Sequence, residues 1–252
     1  MKRLLGAIRK ADEEYKLIGA GEKIAVGVSG GKDSLALLLL LSAYRRFAPR
    51  PFSLCAITLK IGDPFDTAPI QSLCDQLEVP FHLEEMDLID ALRREKNPCS
   101  LCARLRRGTL DRAAAELGCT ALALGHHRED AVETWLMSAL SEGRFYHLAP
   151  KAQMERAGIQ VIRPLIDVKE AAIADLCRRY HLPVIKNPCP VDGHTRRAEI
   201  KDLLADLEGR FPGAKEKLSA ALKRERMGGD AHENGPTANP IGSGDGGNHL
   251  PQ

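Results

Sequence analysis

The chain has 252 residues and a formal net charge of +2, so overall charge does not by itself indicate a nucleic-acid partner. A chain of this length removes roughly 70% of its extended surface from water on folding, which is enough for a self-sufficient core. The apolar run LALLLLL at 35–41 is too short to span a bilayer, and no continuous apolar segment of the signal-peptide type follows Met1. These features predict a cytoplasmic protein with no membrane partner.

Short β-rich runs alternate with helical patterns along the first two thirds of the chain. Residues 1–22 carry apolar side chains at helical spacing and predict an N-terminal helix. Strands are predicted at 23–28, 53–59, 81–86, 120–124 and 159–163. Helices are predicted at 33–46, 67–78, 104–117 and 128–141. This alternation is typical of parallel βαβ units, so we expect an α/β fold with a doubly wound parallel sheet over 23–165.

The last third of the chain differs from this α/β pattern. Three helical patterns predict a mostly helical C-terminal part over 166–227, with helices at 168–180, 196–209 and 212–226. From Gly228 onwards the chain is rich in Gly, Pro and Asn and nearly free of large apolar residues. Such a composition cannot bury enough surface to offset the entropy lost on ordering, which predicts a disordered tail over 228–252.

The hexapeptide SGGKDS at 29–34 lies between the first predicted strand and the helix that follows it. Gly30 and Gly31 let backbone N–H groups approach a ligand closely, and the adjoining helix N-terminus favours an anion. Lys32 adds a full charge, and Asp33 can cap the helix or help to hold Mg²⁺. An ordinary turn uses some of these residue types, but it needs neither the lysine nor both serines, so we predict a phosphate-binding loop.

The loop does not have the Walker spacing, and it resembles the PP-loop ATP pyrophosphatases, also called the adenine nucleotide alpha hydrolase group. A second stretch, GHHREDAVET at 125–134, resembles that group's motif G-H-H-x-D-D-x-x-E-T. Glu129 stands where the first aspartate is usual, so the acidic role is assigned to Asp130. A helix-capping pair is the alternative interpretation of His126 and His127. The resemblance implies a Rossmann-like nucleotide-binding domain with its ligand at the carboxyl ends of the strands.

Three of the seven cysteines lie in contexts suited to metal binding. Cys99 and Cys102 have the C-x-x-C spacing that lets two thiolates reach one metal, and a redox dithiol is the competing interpretation. Cys189 lies between two prolines in NPCPVDG. The other four have apolar or strand-like surroundings and are predicted to be buried core thiols: Cys55, Cys74, Cys119 and Cys177.

The combination of SGGKDS, CSLCARLRRG at 99–108 and GHHRED resembles the TtcA-type tRNA 2-thiocytidine synthetases over roughly residues 1–226. The resemblance implies an ATP-dependent tRNA thiolase that adenylates the C2 oxygen of an anticodon-loop cytidine and replaces it with sulfur. It also implies a 4Fe–4S cluster held by Cys99, Cys102 and Cys189, with one iron open for sulfide. Family members often carry a second C-x-x-C around the third ligand, and its earlier cysteine is missing here.

The phosphate-binding loop, the family resemblance and the spacing of Arg104 and Arg107 one turn apart beside the cysteines together predict a set of site residues and partners. The catalytic residues are Lys32, Asp33 and Asp130. The ATP site, with Mg²⁺, comprises Ser29, Gly30, Gly31, Lys32, Asp33, Ser34, Arg104, Arg107, Gly125 and His126. The expected partners are tRNA and a cysteine desulfurase or another sulfide donor, with a homodimer as one option for the assembly.

Two basic stretches predict where RNA phosphates bind. Residues 91–112 contain seven Lys and Arg against two acids, and residues 212–226 contain five against two. A solvated helix face is the alternative for both. Aromatic residues make up only 4% of the chain, so no base-stacking module is predicted, and recognition is expected to rest on shape and on a base extracted into the site.

Three other functions fit parts of this pattern. Related lysidine synthetases and ammonia-using amidases share the ATP chemistry and do not need the three cysteines. Two-thiouridine synthetases would thiolate a different nucleoside, but they carry extra zinc-finger cysteines. A cluster- or zinc-containing nucleotide-binding sensor or sulfur carrier would not turn over at all.

Overall fold

The computed structural model describes residues 1–61, 66–86, 98–154, 158–185 and 196–228, with the backbone alone at 98–100 and 228. This part of the chain contains six strands: β1 Lys23–Gly27, β2 Ser53–Ile61, β3 Phe81–Met86, β4 Ala121–Ala123, β5 Lys151–Gln153 and β6 Gln160–Ile162. It also contains eight helices: α1 Lys2–Tyr15, α2 Lys32–Tyr44, α3 Ala68–Gln76, α4 Pro98–Glu116, α5 Arg128–Glu142, α6 Glu170–Arg179, α7 Arg196–Arg210 and α8 Ala214–Gly228.

The strands form a single sheet in the order β3-β2-β1-β4-β6-β5. All neighbouring pairs are parallel except β5 with β6. The direction of strand addition reverses between β1 and β4, and a crevice opens at such a point beyond the carboxyl ends of the strands. The loops after β1 and β4, which carry SGGKDS and GHHRED, therefore meet at this crevice. The predicted doubly wound α/β fold is confirmed.

The core lies on both faces of the central strands. Helix α2 is apolar on every side, and five of its leucines are fully buried: Leu35, Leu37, Leu38, Leu40 and Leu41. Helix α1 covers α2 and contributes Asp12, which is 1% exposed and accepts hydrogen bonds from the Tyr44 hydroxyl at 2.8 Å and the Ile18 N–H at 2.9 Å. A buried carboxylate is tolerated because it is paired in this way.

Helix α5 leaves the carboxyl edge of the sheet and packs against α7 and α8. Their shared core is a small apolar cluster of Val132, Ile200, Leu204 and Leu222, with Trp135 packed at its border. The C-terminal helices thus build a second layer of protein next to the crevice.

Some predicted elements differ from the observed ones. The antiparallel edge strand β5 was not predicted, because three residues are too few to show an alternating pattern. Helix α4 begins at Pro98, six residues earlier than predicted, so Cys99 and Cys102 lie on its first turn. Residues 229–252 of the predicted tail lie outside the described residues, and the domain boundaries stay predictions. No described helix is long and apolar enough to cross a membrane.

Candidate active site at the carboxyl edge of the sheet

The loop at 29–34, here called the phosphate loop, is held by its own serines. The Ser29 N–H donates to the Ser34 hydroxyl at 3.1 Å, and that hydroxyl donates to the Gly31 carbonyl oxygen at 2.9 Å. Gly30 has a φ of +81°, and a Cβ there would lie 3.2 Å from the Cβ of Ile185. The first N–H groups of α2 have no acceptor within the helix. The loop therefore presents a helix N-terminus suited to an anion.

Lys32, the first residue of α2, is held by two carboxylates. Its Nζ lies 2.9 Å from Asp33 Oδ2 and 2.8 Å from Glu170 Oε1. Lys201 Nζ lies 3.8 Å from the same Glu170 oxygen. Burial alone would lower the pKa of Lys32, but the hydrogen bonds to Glu170 and Asp33 outweigh burial and raise this pKa. Lys32 is therefore a cation that already has two anionic partners at the start of α2.

Gly125 lets the loop after β4 approach the start of α2 closely. A Cβ at this position would lie 2.9 Å from the carbonyl carbon and oxygen of Asp33 and 3.0 Å from the Ser34 nitrogen. These atoms belong to the backbone and cannot rotate away. Any residue other than glycine would therefore force the two loops of the crevice apart.

His127 lies between the acidic side chains of both loops. Its Nε2 lies 3.5 Å from Asp130 Oδ2 and 3.7 Å from Asp33 Oδ1. Burial would lower the pKa of His127, but the hydrogen bond to Glu129 and the charges of Asp130 and Asp33 raise it overall. The structure thus brings both predicted catalytic carboxylates to one imidazole. Asp33 Oδ1 is buried and has no hydrogen-bond partner among the described residues.

Asp130 and Glu129 also serve as helix caps. Asp130 Oδ2 accepts the His127 N–H at 2.9 Å at the start of α5, so His127 is also a capping residue, as the alternative interpretation proposed. Glu129 Oε2 accepts the Glu170 N–H at 2.8 Å at the start of α6. Burial opposes ionisation of Glu129, yet the hydrogen bonds from His127, Glu170 and Arg128 lower its pKa to about 2.

His126 has a different environment from its neighbour. Burial, followed by the positive charge of Arg163, lowers the pKa of His126 to about 4, and Arg107 contributes to the same effect. Its Nδ1 is buried without a hydrogen-bond partner among the described residues. His126 is therefore neutral at physiological pH. Arg107 is half-buried on α4, whereas Arg104 is exposed.

Two carboxylates of this site were not predicted from the sequence. Glu170 binds Lys32 from a helix 138 positions further along the chain, and no local pattern connects them. Glu133 is 3% exposed, and its Oε2 lies 3.5 Å from Arg197 Nε. Burial raises the pKa of Glu133. The glutamate of the quoted motif GHHREDAVET was the available signal for Glu133.

The structure describes only part of the predicted cysteine set. Cys102 is half-buried on the first turn of α4, and Cys99 lies three positions earlier on the same turn. Residues three apart share one helix face. Cys189 lies outside the described residues, within which no group of three or more metal-binding side chains is found. The metal-ligand set therefore stays a prediction.

The four other cysteines are buried, as predicted: Cys55, Cys74, Cys119 and Cys177. The Sγ atoms of Cys55 and Cys119 lie 3.3 Å apart, and their hydrogen bond, together with burial, raises the pKa of Cys55. The Cys177 thiol donates to the Lys32 carbonyl oxygen at 3.3 Å. Cys177 thus packs beneath the phosphate loop as a structural thiol.

The second basic stretch is less available to RNA than its composition predicts. Lys223 Nζ lies 2.6 Å from Asp167 Oδ2 and 3.0 Å from Glu14 Oε1, above the ring of Tyr15. Arg226 is largely buried and also faces Asp167. These two cations of residues 212–226 have acidic partners within the protein, and their contact with RNA phosphates stays a prediction.

Comparison with known proteins identifies the family. A family model described as the PP-loop domain matches residues 7–207. The tRNA-cytidine(32) 2-sulfurtransferase of Geobacter sulfurreducens is 40% identical over 228 residues, which cover 88% of this chain and 89% of the relative. The chain belongs to the tRNA-cytidine(32) 2-sulfurtransferases of the PP-loop family. The resemblance inferred from SGGKDS, CSLCARLRRG and GHHRED is thereby confirmed.

Two further relatives agree with this family. The tRNA-cytidine(32) 2-sulfurtransferase of Paraburkholderia phytofirmans is 39% identical over 227 residues, which cover 88% of this chain and 68% of the relative. Among solved structures, the U34-tRNA thiolase NcsA from Methanococcus maripaludis with its [4Fe-4S] cluster has a TM-score of 0.70 and 25% identity. That match covers 88% of this chain and 78% of the thiolase. The fold of this chain is thus shared with that thiolase over most of its length.

Proposed function

We propose that this protein is an ATP-dependent tRNA sulfurtransferase that replaces the C2 oxygen of cytidine 32 in the anticodon loop with sulfur. The observation that carries the proposal is 40% identity to the Geobacter sulfurreducens enzyme over 88% of the chain. The geometry of the crevice supports it, because a helix N-terminus, Lys32 and two converging carboxylates suit a nucleoside triphosphate and its metal ion. The protein acts in the cytoplasm, where tRNA is modified.

The first step is activation of the cytidine. Its C2 oxygen attacks the α-phosphorus of ATP, the bond from that phosphorus to the bridging oxygen breaks, and pyrophosphate leaves. Negative charge then grows on the leaving group, where the N–H groups at the start of α2 and the Lys32 ammonium stabilise it. Lys32 gives up its contact with Glu170 to do so.

The Mg²⁺ of the nucleotide fits the acidic side of the crevice. Asp33 Oδ1 is a buried carboxylate oxygen without a hydrogen-bond partner among the described residues, and such an oxygen is satisfied by a hard cation. Asp130 lies across His127 from it. Asp33 and Asp130 would hold the ion, which shields the phosphate charge when bound.

The cysteines fit a cluster site as far as the chain is described. Cys99 and Cys102 lie one turn apart at the start of α4, and Arg107 of the same helix acts on His126 beside the crevice. With Cys189 they would hold a 4Fe–4S cluster, which supplies the sulfur when bound. The sulfur itself comes from a cysteine desulfurase or another sulfide donor, and a homodimer is compatible with this scheme.

A thiolation assay tests the proposed function. Anaerobically purified protein is incubated with tRNA, ATP, Mg²⁺ and sulfide, and the nucleosides are analysed by mass spectrometry. We expect 2-thiocytidine and pyrophosphate in equal amounts. Thiouridine would instead support the second candidate, uridine thiolation, which the similarity to the U34-tRNA thiolase favours. Absence of both products with any tRNA would support a sensor or sulfur carrier.

Cysteine variants test the cluster in the same assay. Cys99→Ala, Cys102→Ala and Cys189→Ala should each lose the iron and the thiolation activity. Cys74→Ala is the matched control, because Cys74 is buried in α3, away from the crevice. Zinc in place of iron in the anaerobic protein, or full iron content in Cys102→Ala, would contradict the assignment.

A further inference from the structure

An exposed aromatic cluster lies at the far end of α5. Phe145 is 82% exposed, and Leu140 and Tyr146 beside it are 63% and 38% exposed. The ring of Phe145 lies against Trp135, with centroids 6.2 Å apart and planes tilted by 33°. Two of the eleven aromatic residues of the chain are thus in contact at this surface, and a third, Tyr146, is the next residue along the chain. Exposing a phenylalanine forfeits about 2 kcal/mol of burial, and an exposed apolar cluster of this kind indicates a binding surface.

The segment 143–147, here called the aromatic loop, is held in a defined conformation by Ser138. The Ser138 hydroxyl donates to the Arg144 carbonyl oxygen at 2.7 Å and accepts the Tyr146 N–H at 3.2 Å. Gly143 ends α5 with a φ of +63°. Both neighbours of Phe145 are therefore fixed through a hydroxyl that is itself buried, while the ring between them points outward. Such a preorganised ring loses little entropy when it binds a partner.

The position and charge of the aromatic loop match the substrate of the neighbouring site. The aromatic loop begins at the far end of α5, but its Phe145 ring contacts Trp135, which lies seven residues beyond the start of the helix, about 10 Å along its axis at 1.5 Å per residue. Arg144 is exposed next to Phe145, and Arg196 donates a hydrogen bond to Ser141 at 3.1 Å. Planar rings flanked by guanidinium groups suit unpaired bases joined by phosphates.

We propose that Phe145, supported by Trp135 and Tyr146, is a stacking platform for an unpaired nucleotide of the tRNA anticodon loop, and that Arg144 binds the adjacent phosphate. This inference rests on the proposed function. Base-paired stems cannot use the platform, because their bases are already stacked within the helix. While the target cytidine occupies the crevice, the platform holds a second base of the same loop. A surface of this kind gives affinity with little dependence on which base is stacked.

Binding of an anticodon stem–loop RNA to the holoprotein tests the platform. Stacking on one aromatic ring contributes about 1–3 kcal/mol, so Phe145→Ala should weaken binding roughly 5- to 150-fold, and Phe145→Tyr should restore it. Phe145→Ala should leave the dependence of affinity on salt unchanged, whereas Arg144→Ala should flatten the log–log slope by about 0.7. ATP affinity should not change in either variant.

Two controls isolate the effect. Phe47→Ala removes a ring that is 53% exposed just beyond the end of α2, and it should not alter RNA affinity. A fully paired duplex of the same length should bind wild type and Phe145→Ala equally. With 5-iodouridine in the loop of the RNA, ultraviolet light should crosslink wild-type protein at Phe145 or Tyr146.

Several results would overturn the inference. One is an unchanged stem–loop affinity of Phe145→Ala, and another is a crosslink at a residue outside the aromatic loop. A third is that Phe145→Ala converts a dimer to a monomer without loss of RNA affinity, which would make the cluster an interface between two copies. If wild-type protein and Phe145→Ala thiolate tRNA equally well, the stacking platform is refuted and the proposed function stands. Wild-type protein that neither binds nor thiolates tRNA would refute the proposed function.

Discussion

The phosphate loop at 29–34 and the aromatic loop at 143–147 both adjoin a helix terminus, yet they present their side chains in opposite ways. In the phosphate loop, both serines and Lys32 already have partners within the protein. In the aromatic loop, buried Ser138 holds the backbone, and the Phe145 ring has mostly solvent around it. The polar side chains of the phosphate loop therefore have partners within the protein. In the aromatic loop, the backbone has such partners, whereas the Phe145 ring is largely exposed.

This difference indicates two modes of binding. In the proposed mechanism, a phosphate that reaches Lys32 would exchange one anion, Glu170, for another, so the cation would not be left unpaired in a half-buried position. Unpaired buried charge is costly, and exchange avoids that cost. A base that reaches Phe145 displaces only water, and its contribution is added to the free energy of binding. Exchange of an ion partner at Lys32 suits a catalytic site, whereas displacement of water at Phe145 suits a site that contributes binding affinity.

The largest expected effect comes from removing the exchangeable cation. Lys32→Ala should lower the rate of pyrophosphate release on the order of 100- to 1000-fold, because one donor is lost from the charge-stabilising site. Stem–loop RNA affinity, which depends on the other loop, should stay within twofold. Single-turnover kinetics measure the first quantity. Lys10→Ala, an exposed change in α1, is the control, and a near-normal rate for Lys32→Ala would exclude Lys32 from the reaction.

An intermediate effect is expected from pushing the phosphate loop away from its neighbour. Gly125→Ala places a Cβ 2.9 Å from the Asp33 backbone, and overpacking of this kind typically costs about 1–3 kcal/mol. A lower melting temperature and a higher KM for ATP should follow together. Gly6→Ala is the matched control, because a Cβ there meets nothing within 4 Å in helix α1. If Gly125→Ala melted at the wild-type temperature, the close approach of the two loops would be unimportant.

The smallest effect should come from loosening the aromatic loop without removing its ring. Ser138→Ala removes two hydrogen bonds to the loop backbone, each of which typically contributes about 0.5–1.5 kcal/mol to stability. Stem–loop RNA affinity should fall by about two- to fivefold, less than in Phe145→Ala, while ATP turnover stays unchanged. Ser72→Ala on α3 is the control. An affinity loss equal to that of Phe145→Ala would mean that the loop conformation, and not the ring, determines binding.

Local sequence determined the elements and the loops that carry chemistry. The order of strands and helices followed from hydrophobic periodicity. The stretch SGGKDS predicted a strand–turn–helix unit with an anion site, because glycine lets the backbone approach a ligand and lysine adds a positive charge at the helix N-terminus. The spacing of Cys99 and Cys102 is also a local signal, because two cysteines three residues apart lie on the same helical turn. The buried state of Cys55 and Cys119 was likewise predictable from their apolar neighbours.

Contacts between residues distant in the sequence were decided by the tertiary structure alone. The Lys32–Glu170 pair, the approach of Gly125 to Asp33 and the neutralisation of Lys223 by Asp167 all join segments far apart in the chain. Composition gave no sign of the Trp135–Phe145 contact, since aromatic residues are few and the contact joins α5 to a loop whose backbone is hydrogen-bonded to Ser138. Periodicity and residue type describe the next few neighbours along the chain, whereas the partners of a charge or a ring depend on how whole elements pack.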